Sequence, residues 1–150
     1  MLTGNGKGLL VINDSNTRPT SGRWHRNTGE YDNFSSGSSV SIMIQRLALH
    51  VGTGTSAPDV SNIALTNRGA GLTVINRTGT NVSQSIEPTA DRIGVFTVTY
   101  KNNTESDITV TEVGLCSDVD SWYVLFAREL LETPVTIAPG ESYTFSMYIG

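Results

Sequence analysis

From residue 40 onward, apolar and polar side chains alternate with the two-residue period of half-buried β-strands. Val40, Ile42 and Ile44 share one phase, and Leu47, Leu49 and Val51 share the opposite one, so a bulge or bend is expected near Gln45 and Arg46. Residues 52–58 (GTGTSAP) cannot continue a regular strand and read as an ordered loop. A short piece of undefined type over 60–65 comes next, then a turn at 67–71. Strands are expected at 72–76, 82–86, 93–100, 108–115 and 122–127, with a short one at 135–137. In 93–100, Phe96, Val98 and Tyr100 share a face opposite Val95, Thr97 and Thr99. The polar turn at 101–104 predicts that 93–100 and 108–115 pair as an antiparallel hairpin. After Pro139 and Gly140, Tyr143, Phe145, Met147 and Ile149 alternate strictly in a closing strand. About eight strands joined by short loops predict an all-β fold, an antiparallel two-sheet β-sandwich or jelly roll.

Residues 1–38 break this pattern. Apart from Leu9 to Ile12 they are polar and rich in turn residues, and such a segment buries little apolar surface on its own. Trp24, Tyr31 and Phe34 nevertheless sit inside it, near Arg23, His25 and Arg26. The reading is an extended N-terminal arm over 1–38, ordered by docking on its own domain or on a neighbour, and a β-sandwich domain over 39–150. Arg23, Trp24, Arg26, Tyr31 and Phe34 are its anchors. The first residues lack the apolar run and cleavage site of a signal peptide.

Composition supports the β reading, because 15 glycines among many Ser, Thr and Asn residues suit strands and turns more than helix interiors. At 150 residues a single core can form without staples. The net charge of −4 conceals a gradient. Residues 1–50 carry five basic and three acidic side chains, whereas 101–150 carry Lys101 and Arg128 against eight acids. Such ends can attract each other between subunits. An acidic chain without a basic aromatic platform argues against nucleic acid, and no apolar stretch approaches the ~18 residues of a membrane-spanning helix.

Candidate chemistry is sparse. Two histidines and one cysteine leave little material for a metal cage or a catalytic triad, and neither a cofactor nor an enzymatic activity is expected. Gly52-Thr53-Gly54 lacks the Lys-Ser/Thr ending and the succeeding helix of a nucleotide loop. Asp118 and Asp120 lie in a stretch without the glycine turn or distal glutamate of a calcium loop, and read as a solvated hairpin loop. With Trp122 they form a candidate exposed contact loop. His50 falls on the polar phase of its strand, where a surface histidine is expected. Cys116 reads as a buried small apolar residue, and Arg128 is expected to pair with Glu112 across strands in a structural role.

Two stretches carry a resemblance. Val51 to Asp59 (VGTGTSAPD), with Ile63 to Asn67 (IALTN) close behind, resembles the GTGT-x-x-P … ALxN segment of small accessory virion proteins of tailed bacteriophages and prophages. The later ITVTEVGL at 108–115 is similar to that family's ITEIGL strand, and LFAR at 125–128 to its LFAR strand. PVTI at 134–137, a turn and an alternating last strand complete the likeness. The match runs in order over roughly residues 47–150, and the sequence departs from it at 116–123 and over 1–38. The resemblance implies a non-enzymatic β-sandwich component of the virion. It would be a head decoration or fibre-base protein, or a neck or tail component. Its partners would be capsid, neck or tail subunits and further copies of itself. The alternative reading is a host-surface module in a fibre, binding a glycan or receptor.

Overall fold

A computed structural model describes residues 3, 22–34, 46–79, 94–119 and 121–149. Its strands are β1 (Gly22–His25), β2 (Tyr31–Phe34), β3 (Leu47–Gly52), β4 (Thr73–Gly79), β5 (Gly94–Lys101), β6 (Ile108–Val119), β7 (Trp122–Ile137) and β8 (Ser142–Ile149). They form a β1-β2 hairpin and two three-stranded sheets, ordered β3-β6-β7 and β4-β5-β8, with every neighbour antiparallel. The all-β, two-sheet architecture is the one the alternation predicts. The strands expected at 40–44 and 82–86 lie outside the described residues.

The core lies between the two sheets. Phe96, Val98 and Tyr100 of β5 and Phe145 and Met147 of β8 meet Leu49 and Val51 of β3, Val113 and Leu115 of β6, and Ala127 of β7. Each large side chain buried here contributes about 1.5–3 kcal/mol of transfer free energy.

One expectation is corrected by the topology. The segments 93–100 and 108–115 do not form a hairpin, because β5 and β6 belong to opposite sheets. Asn102, fully buried, holds the crossover. Its side-chain amide donates to the carbonyls of Ser106 and Ile137 at 2.7 and 2.8 Å, and its side-chain oxygen accepts from the backbone and hydroxyl of Thr104. Period-two alternation is the same in a hairpin and in a crossover, so only this loop chemistry separates them.

The pieces expected at 122–127 and 135–137 fuse into the single strand β7, and β6 runs past 115 to Val119. Register shifts between Val110 and Glu112 and between Leu115 and Cys116 let the long pair twist without ending. Pro134 is tolerated because β7 is an edge strand.

The described part of the expected arm is a hairpin, docked on its own domain. Trp24 is buried edge-on against Phe126, with ring centroids 5.4 Å apart, and packs on Val124. The backbone N–H groups of Asn27 and Thr3 donate to the carbonyls of Tyr123 and Phe126. Tyr123 N–H in turn donates to Asn27 Oδ1 at 2.8 Å. The hairpin and Thr3 therefore cover the first half of the β7 edge.

Candidate functional site

Two polar clusters occupy the face of β3-β6-β7 that points away from the core. Pairing sets Gly52 opposite Glu112, His50 opposite Gly114, and Gly114 opposite Arg128, so these side chains share that outer face. The chain between β3 and β4 folds back over it.

The first cluster fastens this covering segment. Glu112 is fully buried, and its Oε1 accepts from the backbone N–H of Gly54 at 2.9 Å and of Thr66 at 2.7 Å. Its Oε2 accepts from Arg128 Nε at 2.5 Å. The remaining guanidinium nitrogens of Arg128 donate to Asn62 Oδ1 at 3.1 Å and to the Ser56 carbonyl at 2.9 Å. Thr111 adds a hydroxyl bond to the Gly54 carbonyl at 2.7 Å. A buried ion pair is tolerated only with such additional hydrogen bonds to both partners.

Glycine makes this approach sterically feasible. A Cβ on Gly52 would meet Glu112 Oε1 at 2.5 Å and the Thr66 carbonyl at 2.8 Å, and one on Gly54 would meet the same carboxylate at 2.7 Å. Gly114 leaves room for Leu65, which packs with Cys116, Tyr123 and Leu125 under the cover. The Gly-x-Gly segment serves to admit a carboxylate from the neighbouring strand.

The second cluster lies toward the end of the sandwich where β3 begins and β6 ends. His50 is buried there, only 5% exposed, which corrects the expectation of a surface histidine. Its strand phase is polar, but the covering segment and Arg77 close over that phase. Arg77 lies across the ring, 3.2 Å from each ring nitrogen, and also reaches Tyr100 Oη at 3.4 Å. Asp118 Oδ2 is 3.5 Å from His50 Nε2. Arg68 Nη1 donates to Asp118 Oδ1 at 2.6 Å while its guanidinium stacks 3.9 Å over Tyr123. Arg46 reaches the Asp118 carbonyl at 3.4 Å. Burial, then the charges of Arg77 and Arg68, lower the His50 pKa to about 3 against the opposing pull of Asp118. His50 is thus a neutral spacer among arginines at neutral pH. Burial pushes the Cys116 thiol up to about 12, so it stays protonated and a poor nucleophile.

The residues singled out from sequence fall in three places. Glu112 and Arg128 sit at the centre of the first cluster. Trp24 is buried in the docked hairpin, Arg26 pairs with Glu30 at 3.3 Å and lies 4.3 Å over the Trp122 ring, and Tyr31 is 52% exposed and stacks on His25 with centroids 4.4 Å apart. Arg23 and Phe34 lie on β1 and β2. Asp118 is within β6, bound to Arg68, rather than in a solvated loop, because β6 continues to Val119. Asp120 is outside the described residues. The roles of Ser56, Asn62, Thr66, Arg68 and Arg77 have no sequence signal of their own. The only local hint is Gly114, since a glycine inside a strand pattern marks a close approach.

The fold and these clusters define an all-β sandwich with one outer face sealed by a polar, clamped loop. No family profile, curated protein or solved structure matches the chain.

Proposed function

We propose that the chain is a non-enzymatic structural subunit of a tailed-phage virion, an accessory head (decoration or fibre-base) or neck or tail component. The observation that carries this reading is the meeting of the motif pieces in space. Gly52 and Gly54 of GTGT, Thr66 of IALTN, Glu112 of ITVTEVGL and Arg128 of LFAR converge on one clamp. Pieces spread over the chain that build a single unit support a shared fold over a chance likeness, and their work in that unit is mechanical. The virion is the compartment this implies, with assembly in the bacterial cytoplasm.

Charge along the sandwich fits an assembling subunit. The turns joining β5 to β6 and β7 to β8 bring Glu105, Asp107 and Glu141 to one end. Toward the other end, Arg46 and Arg68 reach Asp118, and Arg77 lies across the neighbouring His50 ring. Copies of such a molecule, or capsid, neck and tail neighbours of matching charge, can be oriented by these ends. The test is mass spectrometry of purified particles from a bacterium that carries the gene. A fixed copy number per particle is expected, and absence of the chain from particles contradicts the reading.

A host-surface module is the second reading, favoured by the exposed Tyr31 ring stacked on His25, a shape suited to a sugar face. Binding of the purified chain to a glycan array, lost in Tyr31→Ala, supports it. An array without signal counts against it.

A further inference from the structure

Among the described residues the two sheets present four edges, β3, β7, β4 and β8, and the first three are blunted. Residues 66–69 run along β3, where Thr53 N–H donates to the Thr66 carbonyl and Gly69 N–H to the Val51 carbonyl. The first half of β7 is closed by Thr3 and the hairpin, and the second half carries Glu129, Glu132 and Pro134. A register shift between Val74 and Asn76 kinks β4. Bulges, charges, prolines and covering loops are the devices by which sheets avoid pairing with other chains.

Among the described residues, the fourth edge, β8, has none of these. It pairs with β5 in unbroken register from Ser142 to Ile149, and its sequence SYTFSMYI contains no charge and no proline. Among the described residues no strand pairs with its other side. An eight-residue strand of this kind offers an open row of backbone donors and acceptors.

We propose that the β8 edge pairs antiparallel with β8 of a second copy of this chain across a twofold axis, joining two β4-β5-β8 sheets into one six-stranded sheet. This names the first contact of the assembly proposed above and rests on that reading. Residues opposite each other in an antiparallel pair face the same side. The axis must therefore lie between the two strands at the level of one residue, which then faces its own copy, and not at a level between two successive residues. An axis at Phe145 sets Thr144 against Ser146 of the second copy on the exposed face, and Tyr143 against Met147 on the core side. Tyr143, 45% exposed in the single chain, thereby gains a thioether neighbour.

Self-complementarity selects this occupant, since the register about Phe145 sets hydroxyl against hydroxyl and ring against thioether, and charge selects the direction. The strand is neutral, so a charged partner strand finds nothing to pair with. The nearest acid, Glu141, stands just before β8. Antiparallel pairing separates the two copies of Glu141 by roughly 27 Å, eight strand steps, whereas parallel pairing sets them side by side.

The test is sedimentation of the full chain, wild type against Thr144→Lys/Ser146→Lys and against Thr97→Lys. Thr144 and Ser146 are exposed on the edge strand, and Thr97 lies on the same face of the central strand. The proposal predicts a wild-type dimer, a dissociation constant raised about tenfold or more by the double edge variant, and little change for Thr97→Lys. Circular dichroism should show all three folded. A wild-type monomer at about 100 µM, its edge covered by its own residues or reserved for another protein, overturns the pairing. A dimer indifferent to the edge lysines, or one lost equally in Thr97→Lys, also overturns it. A monomer still found in particles sinks β8 pairing and leaves the virion reading standing, while a β8 dimer absent from particles does the reverse.

Discussion

On the outer face of β3-β6-β7, Glu112, Arg128, His50 and Cys116 are buried beneath the segment that joins β3 to β4. The outer face of β4-β5-β8 carries Thr78, Thr97, Thr99, Thr144 and Ser146, all exposed or half-buried. Thr78 bonds Thr97, and Thr99 bonds Thr144 at 2.7 Å. One face thus holds charge in the dark, with every partner fixed by geometry, and the other holds neutral hydroxyls in water. Substitutions on the covered face should therefore be costly and those on the bare face cheap.

The largest effect is expected from Glu112→Ala. It strands the Arg128 guanidinium and leaves the amides of Gly54 and Thr66 without their acceptor, so denaturant titration should show a loss of about 3–5 kcal/mol. A loss below about 1 kcal/mol would mean that water replaces the carboxylate freely and that the face is not sealed.

Gly54→Ala comes next. The added methyl must displace a buried, hydrogen-bonded carboxylate, at about 1–3 kcal/mol by the same titration. A neutral outcome would show that the loop can shift away and that the close approach is incidental.

The expectation for pH rests on His50. The folded protein keeps it neutral down to about 3, while the unfolded chain takes up a proton below about 6.5, so stability falls as pH drops through that window. Wild type should lose up to about 1.4 kcal/mol per pH unit more than His50→Gln between those values, with no further difference below the lower one. Parallel pH profiles for the two proteins would contradict the burial of His50.

On the bare face, Thr99→Val removes only an exposed hydroxyl pair. A change within about 0.5 kcal/mol is expected, measured by thermal unfolding. A large loss there would erase the contrast between the faces.

Legibility in the sequence divides along the same line. Phe96, Val98 and Tyr100 alternate because one side of β5 meets the core and the other meets water, so the inner faces and the all-β class can be read directly. Glu112 and His50 also stand on a polar phase, and alternation gives no sign that they are buried. Their burial depends on residues 54 to 68, which come from a different part of the chain. The pairing of strands is equally hidden: Ile108 to Leu115 alternates as a hairpin partner of β5 would, and Asn102 decides otherwise. Trp24 is legible as an anchor, but its seat on Phe126 depends on β7 presenting an edge.

The clamp on Glu112 is tested most directly by native-state hydrogen exchange of wild type and Glu112→Gln. The amides of Gly54 and Thr66 should exchange as slowly as those of β6 in the wild type. In the variant, protection over 53–72 should fall while β5 and β8 keep theirs. Fast exchange at Gly54 and Thr66 in the wild type, or unchanged protection over 53–72 in the variant, would contradict it.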